Sequence, residues 1–433
     1  MALSLLSYNV SDLCLGKPPL RCLSSSSSSV SDAIAALKSS EDTFLSVWNC
    51  NHDDDNNTEC ECLGKISMAD VICHLSKDHD HSLCALNSSV SVLLPKTRSI
   101  VLHVQPSCSL IEAIDLIIKG AQNLIVPIHT KPYTKKKQHN DNVSVTTTTH
   151  SNGQRFCWIT QEDIIQFLLG FIAAFSPLPA MSLSDLGVIN STHTVVAVDY
   201  HSSASAVVSA VSNALAVQTS VAVVDGEGDD PFTSLIGEIS PMTLTCCDET
   251  AAAAVATLSA GDLMAYIDGA NPPESLVQIV RNRLEDKGLI GLMSLFDSLS
   301  SYSTSSGYSS EEEAPVRTTS YGRSMSSSAR MARKSEAIVC NPKSSLMAVM
   351  IQAVAHRVNY AWVVEKDGCF VGMLLMFITC TMMKCCKLDA SVLARLGLWK
   401  GMKNFRMNKL IFSAKDEDFI GEVLRPHVWK NEI

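Results

Sequence analysis

Apolar residues along this chain fall into short groups that switch between two spacings. Val30-Ser-Asp-Ala33-Ile34-Ala-Ala-Leu37 places them at helical intervals, and Phe44–Trp48 is an apolar run of strand length. After the acidic loop Asn51–Glu59 the chain returns through Cys62-Leu-Gly64-Lys-Ile66 into a helical pattern ending near Leu75. The next stretch repeats this order. Strand Ser99–Val104, helix Ser109–Ile118 and strand Asn123–Ile128 lead into the polar loop Thr130–Arg155. Strand Phe156–Ile159 and a helix to Leu168 follow. Both stretches read β-α-β-β-α, with a polar loop in the same slot. That coincidence is the internal evidence for duplication.

Two further repeats are predicted. The third has strand Thr194–Val198, helix Ala204–Val211, strand Ser220–Val224, a hairpin at Asp225–Asp230 and strand Leu235–Ser240. The fourth has strand Glu336–Cys340, helix Ser345–Val354, strand Tyr360–Val364 and a hairpin entering Cys369–Gly372. Glu249–Tyr266 reads as mainly helical. Pro273–Leu295 reads as an added amphipathic helix, broken at Gly288 and resumed. Ser298–Lys334 is serine-rich with almost no large aliphatics, the pattern of a tether. The predicted organisation is unit 1 over 1–85, unit 2 over 90–175 and unit 3 with extra helices over 183–297. The tether spans 298–334, a fourth unit with a degenerate end 335–390, and a divergent tail 391–433.

Composition narrows the classes of function. Hydrophobic residues make up 46% and charged residues 18%, against about 25% charged in an average chain, so a large core is available. The net charge of −10 argues against nucleic acid, which needs a basic face. The sixteen cysteines show no CxxC spacing and read as reduced, small apolar residues. Cys60, Cys62, His74 and His79 lack zinc-ligand spacing, and Asp78–His81 reads as a solvated loop, so no metal is expected. Nothing resembles GxSxG, a P-loop, HExxH or a dinucleotide turn, so no catalytic residue and no enzyme activity is predicted. The first residues lack the basic and apolar regions of a secretory signal, and the Ser24–Ser29 run is a weak plastid signal. A cytoplasmic location is expected. The apolar run Cys369–Met383, 15 residues followed by Lys384, falls short of the roughly 20 of a membrane span.

The closing phrase of the repeat carries the chemistry. It stands as Gly64-Lys-Ile-Ser67-Met-Ala-Asp70 and, with cysteine in the glycine slot, as Cys157-Trp-Ile-Thr160-Gln-Glu-Asp163. This arrangement resembles the CBS domain, the regulatory module named after cystathionine β-synthase, over about residues 10 to 375. Four copies are similar to the γ subunits of AMP-activated kinases and to plant proteins with two CBS pairs and no catalytic domain. The resemblance implies an α+β fold of four tandem β-α-β-β-α CBS units forming two pseudo-symmetric Bateman modules. It also implies clefts for an adenosyl ligand (AMP, ATP or S-adenosylmethionine). Asp70 and Asp163 would grip a ribose diol, and Ser67 and Thr160 a phosphate near a helix start. In the third unit Thr243 stands in the aspartate slot of Ser240-Pro-Met-Thr243, so Ser259 and Asp262 are the second choice there. After Gly372 the fourth unit has no aspartate before Asp389, and an altered splice form or frame is the leading explanation of the chain beyond Gly372.

Two readings stay open at this stage. Ser67-x-x-Asp70 and Thr160-x-x-Asp163 are equally good helix N-terminal signals. The chain is thus either a non-catalytic sensor that modulates a partner, a kinase or target enzyme, or a ligand-free scaffold, with a homodimer open to both. Ser320 and Ser326, each three residues after an arginine, are candidate phosphosites in the tether.

Overall fold

The computed structural model describes residues 7–39, 43–50, 60–77, 82–94, 101–128, 154–191, 195–225, 234–268, 272–303 and 336–376 apart from 367, together with Cys380. The loop 51–59, residues 130–153 of the second polar loop, most of the tether with Ser320 and Ser326, Asp78–His81 and the chain beyond 380 lie outside them. The fold is α+β, built on small sheets.

In the first unit a short helix, α1 (Val10–Leu13), precedes strand β1 (Cys22–Ser24), helix α2 (Val30–Ser39) and strands β2 (Phe44–Asn49) and β3 (Glu61–Ser67). Helix α3 (Met68–Lys77) closes it, and α4 (Ser82–Asn87) follows. The second unit is β4 (Val101–His103), α5 (Leu110–Ile118), β5 (Asn123–Ile128), β6 (Arg155–Thr160) and α6 (Gln161–Gly170). After α7 (Leu183–Leu186) and β7 (Asn190–Ser191), the third unit is β8 (Ala197–Asp199), α8 (Ala204–Val217), β9 (Val221–Asp225), β10 (Ser234–Ile239) and α9 (Pro241–Thr245). Four helices extend it: α10 (Ala251–Thr257), α11 (Ala260–Ile267), α12 (Glu274–Asp286) and α13 (Ile290–Ser303). The fourth unit is β11 (Val339–Cys340), α14 (Leu346–His356), β12 (Tyr360–Val364) and β13 (Phe370–Leu375).

Each sheet sets its second strand in the centre, parallel to the first and antiparallel to the third. A helix crossover returns the chain to a parallel neighbour, and a hairpin then adds the antiparallel one. The central strands read as continuous apolar runs because both faces are covered: Leu45, Val47, Leu124, Ile125, Val223 and Trp362 are buried.

The third strands explain the glycine slot. Register shifts occur opposite Val47/Trp48, at Leu235/Gly237 and opposite Val363/Val364. The extra residue of each bulge directly precedes Gly64, Gly237 and Gly372. The β5–β6 pairing runs without a shift, and there the slot holds Cys157.

Several sequence-based expectations are corrected. The opening strand of unit 1, to which no residues were assigned, is β1, only three residues of mixed polarity. Residues 183–191, assigned to unit 3, pack on unit 4: Leu183 N–H donates to Ser344 O, and β7 pairs with β13. Likewise α1, assigned to unit 1, docks on unit 2 through Val10 N–H to Cys108 O. Helix α13 reaches Ser303, six residues into the predicted tether. The apolar run from Cys369 opens as strand β13, the strand expected after the hairpin, and no helix among the described residues is long and apolar enough to cross a membrane.

Candidate functional site

Two sheet-to-sheet contacts organise the clefts, and both use the same pair of repeat positions. Register fixes the equivalence: Lys65 opposes Ser46 as Glu238 opposes Ala222, one residue before the shared Val47/Val223 position. Asn123 and Tyr360 both lie three residues before the matching valines, Val126 and Val363. In the first pair Lys65 Nζ donates to Asn123 Oδ1 at 3.1 Å. In the second, Tyr360 Oη and Trp362 Nε1 donate to the buried Glu238 carboxylate at 3.0 and 2.5 Å. Units 1 and 2 also stack Trp48 on Phe156 with ring centroids 4.9 Å apart, around a small core of Cys22, Trp48, Cys62 and Ile125.

Beside Lys65 lies the first closing phrase. Ser67 donates its N–H and its hydroxyl to Asp70 Oδ2, at 2.7 and 2.6 Å. Burial pushes the Asp70 carboxyl up, opposed by the Ser67 hydrogen bonds and by Lys65. Burial likewise pulls Lys65 down to about 8, opposed by Asp70. Lys65 also sits 4.6 Å from the centre of the Phe44 ring. Asn123 is fully buried and pairs across the strands with Thr160; its Nδ2 has no hydrogen-bond partner among the described residues. Such a buried donor costs about 1–3 kcal/mol unless something accepts from it. The arrangement thus brings Lys65, Asp70, Asn123 and Thr160 to one junction between β3 and β5–β6.

Asp163 is more fully engaged. Its Oδ2 accepts from Thr160 N–H and hydroxyl at 2.7 and 2.9 Å, and its Oδ1 accepts from Lys17 Nζ at 2.5 Å.

The phrase is not confined to the closing helices. Ser29 donates its N–H and hydroxyl to Asp32 in the same way, while Asn9 donates only its N–H to Asp12 and Ser182 only its hydroxyl to Asp185. Ser259 and Asp262 belong to this second group. Their helix, α11, docks on the start of α8 through Ala260 N–H to Ser202 O and Gly261 N–H to Tyr200 O. Helices α1 and α7 dock identically, through Val10 and Ser11, and through Leu183 and Ser184. The first-turn N–H groups that would receive a phosphate are therefore already bonded. Asp262 also faces Arg283 at 3.6 Å. Sequence matching found the right letters in a docking helix. In the true third-unit slot Ser240 caps α9 and Thr243 is buried. In the fourth unit Leu375 holds the hydroxyl position, three residues after Gly372.

Cys60 and Cys62 lie near Cys22 and Cys50, and His103 Nε2 accepts from Cys62 N–H. Among the described residues no group of three or more His, Cys, Asp or Glu is placed to hold a metal. Lys65, Asn123, Glu238 and Tyr360 were missed by sequence reading. The available signal was the position two residues before the closing hydroxyl, which carries lysine in one pair and glutamate in the other.

The repeated β-α-β-β order, the bulge glycine and the capped closing helix are the features on which the resemblance to CBS domains rests, and the chain is similar to a CBS-domain protein. It is 26% identical over 401 residues to the CBS domain-containing protein CBSX6 of Arabidopsis thaliana, covering 85% of this chain and 91% of that one. It is also similar to the crystal structure of protein MJ1225 from Methanocaldococcus jannaschii, described as a candidate archaeal homologue of γ-AMPK. That match has 13% identity, 86% of this chain, 99% of that chain and a TM-score of 0.48. An uncharacterised conserved protein from Pyrococcus horikoshii matches at 12% identity, over 87% of this chain and 100% of that one, with a TM-score of 0.39. No family model matches the chain.

Proposed function

We propose that the chain is a regulatory sensor whose four CBS units form two Bateman modules, and that the first module binds an adenosyl ligand at the Lys65–Asp70–Asn123–Thr160 junction. The observation that carries this reading is the buried Asn123 amide with its unused donor, set beside a lysine and a carboxylate that burial strains in opposite directions. A purine edge would accept from Asn123 Nδ2. The Asp70 carboxylate would accept from a ribose hydroxyl, and Lys65 would meet a phosphate or carboxylate. Nothing in this scheme makes or breaks a covalent bond. A ligand that favours one packing of the modules over another would shift a partner, a kinase or a target enzyme, by differential affinity.

The ligand-free scaffold is favoured by a different observation: Asp163 already has both oxygens engaged by Thr160 and Lys17. Calorimetry of the full chain with AMP, ATP and S-adenosylmethionine separates the two. The sensor reading expects saturable heat from at least one ligand, with affinity falling tenfold or more in Asp70→Asn and Lys65→Met. Absence of heat from all three would establish the scaffold.

A further inference from the structure

Helix α1 ends at Cys14, and the chain from there to Leu20 runs as a strap along β6. Lys17 pairs with Asp163 at 2.5 Å, and Leu20 N–H donates to Phe156 O at 2.8 Å. Beneath the strap lies Cys157, 1% exposed, in the slot that holds glycine in the other three units. Cys14 Sγ donates to Val10 O at 3.3 Å and the side chain packs against the core that contains Cys157, where each thiol shifts the ionisation of the other.

The repeat gives an independent check on this proximity. In unit 1 the docked segment starting at Ser89 replaces the one starting at Asn9, so Leu94 occupies the place of Cys14, five residues on. A Cβ added at Gly64, the counterpart of Cys157, would sit 2.8 Å from Leu94 Cδ2. The slot and the docked segment therefore meet side chain to side chain in both units. In unit 2 both side chains are thiols.

We propose that Cys14 and Cys157 are an oxidisable dithiol, a modification site at which hydrogen peroxide closes a disulfide that clamps the N-terminal strap to the second unit. The environment divides the roles. Cys14 is half-buried, and its thiol is held below the ordinary range by the Cys157 thiol and, less strongly, by Lys17. Cys157 is buried and pushed up, chiefly by the Cys14 thiol, so it remains a thiol. The Cys14 thiolate attacks one peroxide oxygen, the O–O bond breaks, and hydroxide leaves and takes up a proton as water. The product is a sulfenic acid on Cys14. The Cys157 sulfur then attacks that sulfur, the S–O bond breaks, and the Cys157 proton departs with the hydroxyl as a second water. Two thiols and one peroxide become one disulfide and two waters, and the two electrons lost by sulfur reduce the peroxide. This site is independent of the adenosyl ligand reading.

The test treats the full chain with hydrogen peroxide, blocks remaining thiols by alkylation, and digests with trypsin and a glutamate-specific protease. Mass spectrometry should find Met1–Arg21 joined to Phe156–Glu162, lighter by two hydrogens than the free peptides. The link should vanish in Cys14→Ser and in Cys157→Ser and persist in Cys50→Ser. It should form several-fold more slowly at neutral pH in Lys17→Met. Unchanged alkylation of Cys14 after peroxide would overturn the proposal, as would Cys14 sulfinic acid without the link. The wild-type cross-link is read without any variant, so a variant that fails to fold does not blunt the test.

Discussion

At the scale of single residues, the most informative group is Lys65, because its proton couples the candidate cleft to stability. Its folded pKa of about 8 lies below the ordinary 10.5. Between those values the unfolded chain binds a proton that the folded chain lacks, so stability from this residue rises with pH through that window. Below pH 8 the charged ammonium is a standing penalty. Comparing Lys65→Met with the parent isolates the effect from the many thiols that also titrate above pH 8. Whatever its offset at pH 7, the stability difference should move in favour of the parent by about 2 kcal/mol at pH 10.5. That figure is discounted for the side chain's residual exposure. Urea midpoints at a series of pH values read it directly, and parallel profiles for the two proteins would contradict it. The sequence placed Ser67, Asp70, Thr160 and Asp163 at helix starts correctly. It could not show Lys65 reaching Asn123, because that contact joins sheets 58 residues apart.

Elements were legible where a long pattern specified them and illegible where three-dimensional docking did. α12, the break at Gly288 and α13 follow from an amphipathic period with a positive-φ glycine at the stop. α1, α7 and the segment at Ser89 are short, and nothing local says which unit they will join. Their N–H groups find carbonyls in a neighbouring unit, so the same Ser-x-x-Asp letters serve docking helices and closing helices alike. That ambiguity is why Ser259 and Asp262 looked like a site. The bulge is the reverse case, a local feature with a sequence mark. At Gly372 φ is +155°, and an added Cβ would land on the Asn190 carbonyl oxygen where β13 meets β7. Gly372→Ala should therefore destabilise by roughly 2–4 kcal/mol through backbone strain and loss of the β7 pairing. Thermal unfolding measures it, with faster amide exchange at Asn190 and Ser191 as the local readout. An unchanged midpoint would mean that β7 moves away freely.

The described residues are knitted together by shared cores between units, which decides how the chain can be cut. One core joins units 1 and 3: α3 buries Val71, Ile72 and Leu75 in the same cluster as Val207 and Val211 of α8 and the alanines of α10. A second core joins units 2 and 4, with Leu110, Ile164 and Leu168 alongside Leu346, Met350 and Trp362. The sheets bind within each pair and the helices bind between pairs. Lys38 of the first unit adds an ion pair to the buried Glu249 that follows the third. A fragment ending near residue 191 would expose the α3 face and the α6 face together. At about 25 cal/mol per Å² of apolar surface, uncovering even five such aliphatic side chains costs several kcal/mol, comparable to the stability of a domain. The full chain is thus expected to unfold in one cooperative transition, while the 1–191 fragment binds a hydrophobic dye and melts broadly. A fragment that melts sharply, with unchanged exchange protection along α3, would show that each module folds alone and that the shared cores are only contacts between finished halves.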